Sequence, residues 1–205
     1  MNANDAALFV TQLAMGFALA ASVELRAFLP LFVTGLLARN GYVQMGPSFA
    51  WMESTPALVV FGSAVIFEIL ADKVPGLDHA LHAVEAFVKP VAATLLAASL
   101  FTHLDPVLAV TLGLIGGGTI AGAVHAMKGA ARLVSTGATG GLANPVLSLL
   151  DDGLAIVGII LAFVVPILAA IAVIALGVVS VRFFLRRMKG RSGPRPLPPE
   201  GGGAS

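Results

Sequence analysis

The chain contains no cysteine. That excludes disulfides, thiolate nucleophiles and thiolate metal sites, and leaves the compartment undefined. Charge is almost as scarce. Only 11% of the 205 residues are Asp, Glu, Lys or Arg, against about 25% in soluble domains, so the chain lacks the polar surface needed to meet water on all sides. A formal net charge of +1 gives no reason to expect a nucleic-acid partner. No Lys or Arg precedes the first apolar run, whose only early charge is Asp5. The basic leader of a secretory signal is therefore missing, and although Ala18-Leu19-Ala20 resembles a cleavage site, the run reads as an uncleaved first span.

What is present is apolar length. The chain is 58% hydrophobic with a mean hydropathy of +0.95, and the apolar residues fall in long blocks, as a bilayer requires. Six stretches stand out: Ala6–Val23, Ala27–Ala38, Thr55–Ala71, Gly76–Phe101, Pro106–Met127 and Val146–Phe184. A spanning helix needs about 20 residues. The second stretch is short, and reads as a tilted span, a re-entrant half-helix or an interfacial segment. The last is too long, because a single helix would reach about 60 Å, twice the hydrocarbon core. It is expected to bend or reverse near Val165-Pro166. The fold class is an all-α integral membrane protein, a bundle of about six to seven transmembrane helices with broken or half helices.

A faint repeat is consistent with internal duplication. Ala86-Phe87-Val88-Lys89-Pro90 echoes Ala162-Phe163-Val164-Val165-Pro166, and Gly16, Ala21 and Arg26 align with Gly118, Ala123 and Lys128. The transmembrane domain covers residues 1–188. Residues 189–205, rich in Pro and Gly, cannot bury a core and read as a disordered tail.

Basic residues set an expected orientation. Arg182, Arg186, Arg187, Lys189, Arg191 and Arg195 cluster at the C-terminus, which places it in the cytoplasm of a cell (inner or plasma) membrane. Counting back, Arg26, the Asp72-Lys73 break and a Lys128–Arg132 loop fall inside, whereas the Asn40–Ser54 loop and the Thr102–Asp105 turn fall outside. Arg39 is the exception.

Ionisable groups within spans cost roughly 2.5–3.5 kcal/mol at a helix centre, so they persist where they pair, reach water or act. Three clusters qualify. The first follows the break Asp72-Lys73-Val74-Pro75, where Asp78, His82, Glu85 and Lys89 form one helical stripe and Glu85–Lys89 is a favourably oriented i, i+4 pair. The stripe reads either as an interfacial amphipathic turn or as the wall of a water-filled pathway. A metal site on Asp78, His82 and Glu85 is disfavoured, because one helix rarely supplies a full ligand set.

The second cluster is the glycine-rich Gly137–Ala143 segment with Asn144-Pro145, Ser148, Asp151 and Asp152. Glycines let the backbone leave the helix inside a membrane, and Asn144-Pro145 starts a new helix there. The aspartates read either as a proton or cation site, or as groups stabilised by a helix N-terminus and paired with Lys128 or Arg132. The third cluster is Glu24, Arg26, His125 and Lys128. Glu24 and Arg26 are two apart and do not face each other, so their partners lie elsewhere, and the four read as interfacial anchors or as counter-charges for the acidic clusters. Gly113, Gly116, Gly117, Gly118 and Gly122 indicate close helix packing. No strand precedes them, as a phosphate loop would need.

Leu25-Arg26-Ala27-Phe28-Leu29-Pro30, Ala71-Asp72-Lys73-Val74-Pro75-Gly76-Leu77-Asp78, Phe87-Val88-Lys89-Pro90 and Ala143-Asn144-Pro145-Val146-Leu147-Ser148 resemble an uncharacterised bacterial membrane family, domain of unknown function 4126. The similarity covers roughly residues 10–175 and implies a multi-pass membrane protein; it carries no activity, substrate or catalytic residue.

The leading functional reading is a small transporter or channel-like permease for an ion or small polar solute. The alternative is a non-transporting accessory or scaffold protein, in which the charges anchor helix ends. An intramembrane enzyme ranks third, since no cysteine, Gly-x-Ser-x-Gly elbow or His-Glu-x-x-His motif is present. No cofactor is implied. The implied partners are the lipid bilayer and an unidentified small solute or ion, with a homo-oligomer left open.

Overall fold

A bilayer offers the backbone no hydrogen-bond partners, so an apolar run that crosses it must satisfy its own N–H and C=O groups, and a helix does this within one segment. In the computed structural model the apolar runs are helices. Residues 3–71, 77–140 and 142–166 are described, with scattered single positions beyond, and no strand occurs among them. Helix α1 (Ala3–Leu25) turns at Arg26-Ala27 into α2 (Phe28–Arg39). A short 3₁₀ segment, Pro47–Glu53, leads into α3 (Thr55–Ala71), which is followed by α4 (Leu77–Ser99). Next come α5 (Pro106–Leu112), a π turn over Gly113–Gly117, α6 (Gly118–Thr139) and α7 (Asn144–Val164).

The protein is an all-α membrane protein. Ala3–Leu25, Pro106–Thr139 and Val146–Val164 are each long and apolar enough to cross a membrane, and the pair Pro47–Glu53 and Thr55–Ala71, bent by 60°, makes a fourth if counted as one span. Helix α4 has the length, at 23 residues, but its Asp78–Lys89 half is polar. The short second stretch forms a short apolar helix. Its 12 residues reach about 18 Å, and it runs antiparallel to α3: Arg39 donates to Thr55 at one end, and Glu68 meets Ala27 at the other.

Helix α1 is the centre of the bundle. Ala18, Leu19, Ala20 and Val23 pack against Ala92, Ala93 and Leu96 of α4 and Ile159 and Ala162 of α7. Small residues permit this. A Cβ on Gly16 would lie 3.3 Å from Cα of Ala97, and one on Gly113 would lie 2.6 Å from the carbonyl oxygen of Thr94. Gly117 is similarly close to Ala93. Gly118 and Gly122, by contrast, meet nothing within 4 Å, so only part of the glycine run serves close packing. The outward faces carry Val59, Val60, Ile66, Phe67 and Leu70 of α3 and Val107, Leu114 and Ile115 of the fifth stretch, all exposed and apolar.

Three expectations are corrected. Lys128–Arg132 is no loop. The fifth stretch continues through it as one helical run of 34 residues, Pro106–Thr139, about 51 Å long. Nothing there breaks a helix, because Lys128 and Arg132 sit among Ala, Gly and Leu. The run ends only where Gly140 takes a left-handed conformation, φ 63°. For the same reason Gly137 is helical, and the non-helical stretch is confined to the short link before Asn144. Finally, Asp151 and Asp152 lie two turns inside α7, beyond the reach of its N-terminal dipole, which fades within the first turn.

The over-long sixth stretch does break where its length required. Helix α7 stops at Val164, and Val165 adopts φ −140°, ψ 67° immediately before Pro166. The Thr102–Asp105 turn also forms, and Asp105 caps α5 by accepting from the N–H of Val107 at 2.9 Å.

Candidate functional site

Three helical faces and one turn aim ionisable groups at the same level of the bundle. On α6, His125, Lys128 and Arg132 recur at i, i+3 and i+7 and so share a face. On α7, Ser148 and Asp152 are one turn apart, and on α4 Glu85 and Lys89 are likewise. The last turn of α1 delivers Glu24, and the α1–α2 turn delivers Arg26. Both are buried.

The pairing crosses the whole chain. Arg26 bonds Asp152, joining the α1–α2 turn to α7. Lys128 reaches Asp151 at 3.2 Å, and Arg132 reaches the same oxygen at 3.6 Å. Lys128 also donates to the carbonyl oxygen of Glu24 at 3.1 Å, closing the C-terminal end of α1. Lys89 and Glu85 pair at 2.6 Å, both side chains under 10% exposed. The Glu24 carboxylate meets Nδ1 of His125 at 2.7 Å, with Glu24 buried and the imidazole largely exposed. The adjacent aspartates are thus divided between different cations. The pairing expected for them with Lys128 or Arg132 is realised at Asp151.

Arg26, Glu68, Glu85, Lys89, Lys128, Arg132, Ser148, Asp151 and Asp152 line one cavity of about 20 Å³, room for roughly one water. It adjoins a cleft of about 440 Å³ between α4 and α6, to which Glu85, Lys89, Lys128 and Arg132 also belong. Glu24 and His125 border the cleft beside Gly118, Gly122 and Gly129. The sequence clusters on α4 and α7 therefore meet, with the third cluster between them. Asp72 and Lys73 lie outside the described residues, as do the side chains of Asp78, His82 and Asn144.

Sequence reasoning passed over Glu68. It is 1% exposed and accepts from the backbone N–H of Ala27 at 2.9 Å and of Phe28 at 3.4 Å, capping the buried start of α2. Its signal was plain enough: a lone carboxylate inside the apolar run Thr55–Ala71, where a charge needs a reason. Arg132 was anticipated only as a partner for the aspartates.

No curated protein and no solved structure compared with the chain matches it. The sequence model described as domain of unknown function (DUF4126) matches residues 13–186. Because that match covers most of the 205-residue chain, the chain belongs to the DUF4126 family.

Proposed function

We propose that the protein is a small membrane transporter or channel-like permease for an ion or small polar solute, with the charged cavity as its binding site and the α4–α6 cleft as its vestibule. The observation that carries this reading is the continuity of the two. A water-sized polar chamber, walled by residues from α3, α4, α6, α7 and the α1–α2 turn, adjoins a cleft large enough for a small solute. Asp152 lies about 12 Å along α7 from its start, a depth at which charge is retained for binding or pairing. Asp78, Glu85 and Asp152 supply cation or proton binding, and Lys89 and Lys128 balance them. Ser148 completes the described lining.

The second reading, a non-transporting accessory or scaffold protein, draws on a different observation: of the five carboxylates described around the cavity and cleft, Glu24, Glu85, Asp151 and Asp152 already face a Lys, Arg or His side chain. Water access separates the two. The chain has no native cysteine, so Ser148→Cys and Gly122→Cys each report alone. A permease labels at both with a membrane-impermeant maleimide, and its Asp152→Asn and Asp78→Asn variants insert normally but lose flux in liposomes. A scaffold shows no labelling at Ser148 and no flux to lose.

A further inference from the structure

Among the carboxylates of the charged cavity and the adjoining cleft, Glu68 is held differently from the rest. Glu24, Glu85, Asp151 and Asp152 each face a Lys, Arg or His side chain within ion-pair distance. Both oxygens of Glu68 are instead turned to backbone N–H groups, Oε1 to Ala27 and Oε2 to Phe28, and its described contacts include no ion pair. The group is buried, yet it lines the water-sized cavity. Around that cavity stand Arg26 of the α1–α2 turn, Glu85 and Lys89 of α4, Lys128 and Arg132 of α6, and Asp151 and Asp152 of α7.

We propose that Glu68 is a reversible proton-binding site that takes its proton from the cavity and thereby controls the junction of α3 with the start of α2. A carboxylate oxygen keeps a second lone pair after accepting one hydrogen bond, so a proton can add there, forming one O–H bond and cancelling the charge. A metal cation does not fit the same position. It would face two N–H donors and the positive end of α2, in a space of about 20 Å³. The donor hydrogens thus select a proton over a metal ion. Protonation converts a charge-assisted cap into a neutral one, roughly half as strong. It therefore loosens α3 from the α1–α2 turn that also carries Arg26 and its bond to Asp152. As the coupling ion of a permease, this proton rests on the reading above; as a binding site, it does not.

The test keeps the wild-type chain. The protein has five glutamates, at 24, 53, 68, 85 and 200, so side-chain carboxyl labelling with ¹³C gives five resolvable signals in a bilayer sample. The Glu68 signal, assigned through Phe67 and Ile69, should pass from carboxylate to acid and back as pH is cycled within the range where helical circular dichroism is constant. A Glu68 signal that does not move overturns the proposal, whatever flux is measured. In parallel, vesicles containing a trapped pH dye should show proton uptake falling at least tenfold in Glu68→Gln and recovering in part in Glu68→Asp. Titration of Glu68 in vesicles that show no proton uptake would uphold the site and remove the proton's role as coupling ion of a permease.

Discussion

Arg26 and Asp152 stand 126 residues apart in the chain and bond side chain to side chain inside the bundle, fastening the α1–α2 turn to α7. Neither residue finds this partner locally. Arg26 is buried in the turn between two helices, where an unpaired guanidinium would be costly, and α7 brings Asp152 to it because α7 runs antiparallel to α1, with Gly158 against Ser22 one step further along.

Breaking that pair from one side should therefore cost more than removing it whole. Arg26→Met is expected to destabilise the protein by about 1 kcal/mol, because the carboxylate it strands is 38% exposed and stays partly hydrated, and Arg26→Met with Asp152→Leu should recover part of the loss. Denaturant unfolding in mild detergent, run as a double-mutant cycle, measures both. Equal, additive losses would mean that the two residues do not depend on each other.

The Glu85–Lys89 pair makes a parallel case within one helix. Both side chains are buried, so Lys89→Met should cost about 3–5 kcal/mol and Glu85→Gln/Lys89→Met considerably less. If the stripe were an amphipathic turn open to headgroups, Lys89→Met would cost under about 1 kcal/mol. The same unfolding assay distinguishes them.

The glycines divide into two groups with opposite expected responses. At Gly113 a methyl group would stand 2.6 Å from the carbonyl oxygen of Thr94 and 3.0 Å from the N–H nitrogen of Ala98, both backbone atoms that cannot swing away. Gly113→Ala should destabilise by about 1–3 kcal/mol through overpacking. At Gly118 and Gly122 a methyl group meets nothing within 4 Å, so alanine there should be neutral or should stabilise by up to about 1 kcal/mol through helix propensity. Thermal unfolding of the three single variants in detergent tests this contrast.

Orientation is expected to follow the basic tail, with the C-terminus cytoplasmic and the Asn40–Ser54 loop external. A reporter that is active only outside the cell, fused after Ser205, should be silent, and the same reporter inserted near Gly41 should be active. The reverse pattern would invert the topology.

Pro166 shows what the sequence could decide unaided. A helix from Val146 to Phe184 would overrun a bilayer, and the break at Val165 follows from length and a missing N–H alone. The all-α membrane class and the family are legible for the same kind of reason, since composition and local motif carry them. Glu85 and Lys89 were likewise readable, because i, i+4 spacing on one helix fixes their meeting before any packing occurs.

Lys128 shows where that reasoning stops. Its charge suggested a loop, but a charged residue ends a span only when it must reach water, and here Asp151 and the last carbonyls of α1 satisfy it within a continuing helix. Glu24 with His125, Arg26 with Asp152 and Glu68 with the start of α2 are separated by 101, 126 and 41 residues. Local pattern shows only that each such group needs a partner, because burying a lone charge in a low dielectric is costly. Which partner it finds depends on which helices lie side by side, and that is set by the close approach of small residues such as Gly16 to Ala97 and Gly113 to Thr94. The sequence thus determined a helical membrane protein with charges that had to be neutralised, and the tertiary packing alone decided that they are neutralised around one shared cavity.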